Sequence, residues 1–132
     1  MKETIAALLQ CKNWALVGAT SNKGKFGYKI FQVMRNNGLH VLPVNPGLQE
    51  IEGQPCYASL ADLPEPVEAV NVVVPPKVAL GILEECQRLN ISKVWLQPGA
   101  DTAEVVEKAK ELGLQVVYDA CIMIELRHKG GV

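Results

Sequence analysis

The stretch WALVGATSNKGKFG, Trp14–Gly27, decides the fold. Trp14 to Val17 is an apolar run with the length and bulk of a buried strand. Gly18-Ala19-Thr20-Ser21 follows, small residues that let a ligand approach the backbone closely. A polar loop holds Lys23, Gly24 and Lys25, and Gly27 leads into a helical pattern. A strand, a small-residue turn and a helix start make an anion site, because unpaired N–H groups and the helix dipole both favour phosphate. The stretch therefore predicts binding of a phosphate-bearing nucleotide.

The chain around it repeats the same units. Gly27, Ile30, Phe31 and Met34 share one helical face, and Asn37-Gly38 ends that helix. His40–Val44 predicts a strand that stops at Asn45-Pro46-Gly47. Gly53–Tyr57 suits a short edge strand, and Ser59–Leu63 one helical turn. Ala69–Val74 is the most apolar strand, of the kind covered on both faces. Pro75-Pro76 stops it and opens a helix reaching about Leu89. Lys93–Gln97 is a strand ending at Pro98-Gly99. Asp101 is expected to cap the next helix with Glu104 in a capping box, and Gln115–Tyr118 is the last strand. At the start, Thr4 is expected to cap a short helix; at the end, 119–132 is expected to hold one helical turn near Ile122–Leu126 and then fray.

Strands alternating with helices predict one α/β domain over 1–132: a doubly wound parallel sheet, Rossmann-like, in strand order 3-2-1-4-5-6. Its strand order reverses between Trp14–Gly18 and Ala69–Val74. Ligands bind beyond the C-terminal ends of strands at such a reversal, which sets Gly18–Ser21 beside Val74–Pro76.

Bulk properties narrow the function. A net charge of -1 gives no signal for nucleic acid or an anionic membrane. No apolar run approaches the roughly 20 residues that span a bilayer. Cys11, Cys56, Cys86 and Cys121 form no CxxC pair and match no His spacing, so no zinc site is expected. The N-terminus lacks signal-peptide features, and a cytoplasmic location with reduced thiols is the expectation. Trp14, Trp95 and His40 read as structural, and the Glu84, Glu85, Glu107 and Glu111 carboxylates as outer helix faces. Without a nucleophile–base pair or paired acids at the crevice, the chain reads as a binder rather than an enzyme.

Two nucleotide readings fit poorly. A nicotinamide or flavin dinucleotide wants G-x-G-x-x-G and an acid ending the second strand. Here Thr20 replaces the second glycine, and the strand ends in Val44-Asn45-Pro46. A P-loop fails on spacing, and Phe26 stands where a hydroxyl must reach magnesium. The loop also admits a bland reading, a tight turn with Lys23, Lys25 and Lys29 as a solvated face.

VGAT-S at 17–21, PVNP at 43–46, VPP at 74–76 and QPG at 97–99 stand in register at strand ends. Together they resemble the stand-alone CoA-binding domain family, similar to the N-terminal domain of the succinyl-CoA synthetase alpha subunit. The resemblance spans about residues 5 to 126. It implies coenzyme A, or an acyl-CoA, as ligand. Gly18, Ala19, Thr20 and Ser21 would meet the diphosphate, with Lys25 pairing to phosphate. Val44, Asn45 and Pro46 would flank the adenosine, where a carboxylate would repel a 3′-phosphate. Val74, Pro75 and Pro76 would pack along the diphosphate and pantetheine, and Pro98 and Gly99 would line the far wall. Cys121, where the family often carries a cysteine, is either a buried thiol or a redox thiol beside the CoA sulfur. Two departures stand out: Leu48 replaces a lysine of the synthetase domain, and neither His40 nor His128 is placed to act as its phosphorylated histidine. The implied role is a carrier, a sensor, or a subunit completed by a protein partner or a second copy. The alternatives are an NAD(P)-binding oxidoreductase or redox-sensing domain, and an interaction module with an empty nucleotide site.

Overall fold

The computed structural model describes residues 1–130. The elements in chain order are α1 (Lys2–Leu9), β1 (Asn13–Val17), α2 (Phe26–Asn36), β2 (His40–Val44), β3 (Glu50–Ile51), β4 (Gln54–Pro55), a 3-10 turn (Leu60–Asp62), β5 (Ala69–Val72), α3 (Pro76–Arg88), β6 (Lys93–Leu96), α4 (Ala103–Glu111), β7 (Gln115–Val117) and α5 (Ile122–Gly130). Five strands form one parallel sheet in the order β2-β1-β5-β6-β7. The order reverses between β1 and β5, as expected.

Alternate residues along the strands feed two cores. Trp14, Leu16, Trp95 and Val117 face α1, α2 and α5. Ala15, Val17, Val70, Val72, Val94 and Leu96 face α3 and α4. With both faces covered, the strands need no polar alternation, which is why 69–74 reads as nearly continuous valine. The base is fixed by Glu68, whose carboxylate accepts from the Lys12 and Asn13 amides at 2.9 and 3.0 Å. Those two N–H groups hold its carboxyl below the usual range.

The expected sixth strand is absent from the sheet. Residues 54–55 pair instead with 50–51 as a two-stranded antiparallel hairpin. Glu52 and Gly53 both take positive φ, 52° and 78°, the geometry of a tight hairpin turn, so this segment pairs locally. Only Tyr57 reaches the sheet edge. Its amide donates to Pro43 at 3.0 Å, and its carbonyl accepts from Asn45 at 2.9 Å. Pro43 suits this edge strand because its missing N–H faces outward.

Three helix boundaries also differ. α1 begins at Lys2, so Thr4 lies inside it rather than capping it. Thr102, not Asp101, caps α4: its hydroxyl accepts from the Val105 amide at 3.4 Å. Asp101 is engaged elsewhere, accepting from Gly99 and Asp119 amides at 3.2 and 2.9 Å. The C-terminal segment forms two turns of helix instead of one. Arg127, His128 and Lys129 complement its dipole, and Lys129 donates to the Leu9 carbonyl at 2.8 Å. The end of the expected fraying, 131–132, lies outside the described residues.

Candidate functional site

Gly18 turns the chain out of β1 with φ at 99°. Its amide bonds the Val44 carbonyl at 3.0 Å, and an added Cβ would strike the Val73 carbonyl. Only glycine closes this turn. Gly27 is equally constrained, because a Cβ there would strike the Gly18 carbonyl. The two glycines thus pull the first turn of α2 against the end of β1.

The loop between them organises itself. Thr20 Oγ1 accepts from the Asn22 amide at 3.2 Å, and Asn22 Oδ1 accepts from the Gly24 amide at 3.0 Å. Lys25 occupies the N-cap position of α2 but makes no side-chain cap. The Phe26 and Gly27 amides take no partner among the described residues. Gly18, Thr20, Gly24, Lys25, Gly27 and Asn45 line a cleft of about 480 Å³ that Phe26 and Val73 complete. No carboxylate lines it. Open amides, a lysine and a helix start make it a cradle for an anion.

Asn45 stands where β2 ends, but its side chain has a structural task. Nδ2 donates to the Ala19 carbonyl at 2.8 Å, and Oδ1 accepts from the Gly47 amide at 2.8 Å. It ties the Gly18 loop to the exit of β2.

Val73 is shared with two neighbouring clefts. One, of about 270 Å³, is lined by Val74, Pro75, Pro98 and Gly99. The other is a slot of about 240 Å³ between Phe26, Ile30, Val73, Gln97, Pro98 and Cys121. Cys121 precedes α5, and its sulfur receives the Gln97 Nε2–H at 3.5 Å. Gln97, only 4% exposed, also accepts from the Ile122 amide at 2.8 Å and fixes the start of α5. Elsewhere, burial pushes the Cys11, Cys56 and Cys86 thiols up, Cys86 to about 12.

Of the residues singled out from sequence, Gly18, Thr20, Lys25 and Asn45 meet in the cradle. Val74, Pro75, Pro98 and Gly99 meet next to it, and Cys121 lines the slot. Ala19 and Val44 are buried behind the cradle and contribute only backbone. Ser21 and Pro46 are exposed, and Pro76 opens α3; none of the three lines these clefts. Leu48 packs against the core on the α2 side instead of offering a charge. His40 begins β2, at the opposite end from the cradle, and its Nε2 meets Glu65 at 2.6 Å. The sequence reading missed Phe26, Ile30, Val73 and Gln97. Phe26 stands one residue before the inward-facing Gly27-Ile30-Phe31-Met34 period and is 65% exposed, and a large aromatic outside that period is its one signal in the sequence.

A separate cleft of about 360 Å³ runs between Leu60–Val67 and Leu89–Ile91. It contains Glu65 and no cation, so it is unsuited to phosphate. Among the described residues no helix is long and apolar enough to cross a membrane.

An open polar cradle at the reversal point of a doubly wound parallel sheet defines an α/β protein of the nucleotide-binding class. The chain belongs to the CoA-binding domain family, whose sequence profile matches residues 12–127. It is 36% identical over 118 residues to an ADP-forming acetate–CoA ligase I of Archaeoglobus fulgidus, covering 82% of this chain and 17% of that ligase. It is 29% identical to the uncharacterised protein YneT of Bacillus subtilis, covering 93% of this chain and 92% of YneT. Among solved structures, a conserved hypothetical protein from Pyrococcus furiosus superposes with a TM-score of 0.82 at 40% identity. That match covers 86% of this chain and 98% of the other.

Proposed function

We propose that this chain binds coenzyme A or its thioesters at the C-terminal edge of the sheet. The observation that carries the reading is the Gly18–Gly27 cradle, with open Phe26 and Gly27 amides, in a chain of this family. The diphosphate lies on the cradle beside Thr20 and Lys25. The adenosine lies toward Asn45 at the exit of β2, where no carboxylate repels a 3′-phosphate. The pantetheine arm crosses Val73 between Val74–Pro75 and Pro98–Gly99, and its sulfur ends beside Cys121. The crevice holds no pair of groups suited to proton transfer, so the chain acts by binding in the cytoplasm, as carrier, sensor or subunit. Its likeness to one segment of a much longer ligase favours the subunit role.

Calorimetric titration with CoA, dephospho-CoA and NAD tests this. CoA binds, dephospho-CoA binds about tenfold more weakly, a difference of about 1.4 kcal/mol, and NAD does not compete. NAD binding without CoA binding would overturn the reading.

A further inference from the structure

Beyond Cys121 the slot opens into a wider groove of about 710 Å³ between α2 and α5. Phe26, Val33, Met123, Ile124 and Leu126 make its walls, and Asn37 and Arg127 its polar rim. Two walls are shared, since Phe26 and Cys121 line both the slot and the groove. Phe26 also lines the cradle, so the three spaces form one path past a single ring. Chemistry changes along that path: polar amides and a lysine first, then a narrow apolar slot, then a broad apolar trough.

The trough leaves apolar surface in water. Phe26 is 65% and Ile124 44% exposed, and both face the same groove, whereas Val78 and Leu89 stand at opposite ends of α3. α2 and α5 touch, as α3 and α4 do on the other side of the sheet, and the groove lies open along their seam. Unesterified CoA ends at its sulfur and covers none of this surface. An apolar acyl group on that sulfur continues into it.

We infer that the α2–α5 groove is an acyl site, and that the preferred ligand is a CoA thioester of an apolar carboxylic acid longer than acetyl. The inference rests on the proposed placement of CoA, with the sulfur at Cys121. Recognition comes from removing Phe26, Val33, Ile124 and the acyl methylenes from water, a term that grows with each carbon covered.

The test titrates the full chain with CoA and its acetyl, butyryl, hexanoyl and octanoyl thioesters below their micellar concentrations. Acetyl-CoA should bind like CoA, and each methylene beyond it should tighten binding by about two- to fourfold. Ile124→Asp, and the milder Ile124→Ser, should flatten the series while leaving CoA affinity within about twofold. A flat series for the unmodified chain, with CoA still bound, overturns the acyl site and leaves the CoA reading standing. A rising series that neither variant flattens also overturns it. Failure of CoA itself to bind removes both. Sedimentation of the same samples gives the competing occupant: a dimer that Ile124→Asp splits assigns the groove to a second copy.

Discussion

The turns after β1 and after β6 leave the same edge of the sheet, and each opens a helix. Both leave the first two helix amides open, and they differ in the side chains that answer the rest. After β6, Ala100 donates to the Gln97 carbonyl, Gly99 to Asp101, and Val105 to the Thr102 hydroxyl. That turn has a side-chain cap on the Val105 amide, while the Ala103 and Glu104 amides take no partner among the described residues. After β1, Lys25 supplies no side-chain cap and Phe26 and Gly27 keep their amides open. A missing cap costs about 1 kcal/mol, which a bound anion offsets. The α3 start is a third solution, with Pro76 at its first turn removing a donor altogether. The same strand–turn–helix unit therefore differs in what stands beside the open helix amides, a free lysine at α2 and a capping hydroxyl at α4.

The glycines of the two turns give the sharpest way to break the comparison. Gly18 and Gly99 have φ of 99° and 105°, but only Gly18 has no room for a Cβ. Gly18→Ala should weaken CoA binding more than about 100-fold and destabilise the fold by about 2–4 kcal/mol, read by calorimetry and urea unfolding. Gly99→Ala should show only the strain of positive φ, about 1 kcal/mol. Equal losses at both positions would mean that backbone conformation alone decides, and the cradle contact does not.

Next come the side chains at the two helix starts. Lys25→Ala should weaken CoA about tenfold, more at low salt, with little change in stability. Thr102→Ala should do the reverse, losing about 1 kcal/mol of stability with CoA affinity unchanged. A stability loss at Lys25 matching that at Thr102 would remove the distinction between a ligand-facing lysine and a structural cap.

The smallest effect separates two cysteines. Incubated with oxidised CoA, the Cys121 thiolate attacks one sulfur of the CoA disulfide, forming a mixed disulfide and releasing one CoA thiolate. Mass spectrometry should find partial modification at Cys121, which lines the slot. Cys86, fully buried and pushed to about 12, should stay unmodified. Labelling of Cys86 but not Cys121 would place the CoA sulfur elsewhere.

Much of this edge was legible in the residues. The apolar run 14–17, the small residues 18–21 and the Gly27-Ile30-Phe31-Met34 period locate the cradle without help from tertiary structure. The misreadings share a cause: contacts from distant segments. Asp101 and Thr102 are both good caps by type, and the choice is made by the Asp119 amide, eighteen positions away, which occupies Asp101. The 53–57 segment has strand-like residues, but the positive φ at Glu52 and Gly53 turns it back on 50–51. The α2–α5 groove was invisible because its second wall is α5. That helix is weakly amphipathic and is held partly by Lys129 reaching the Leu9 carbonyl, 120 positions away.

The two indoles of the core have a further consequence. Trp14 and Trp95 lie with ring centroids 6.4 Å apart and planes tilted by 58°. Trp95 also donates its N–H to the Ala120 carbonyl at 2.9 Å, one residue before Cys121. Two chromophores so close exchange excitation, and one is wired to the peptide that borders the slot. The protein thus carries its own optical gauge: a ligand that shifts residue 120 changes the colour and polarisation of indole emission, with no label attached.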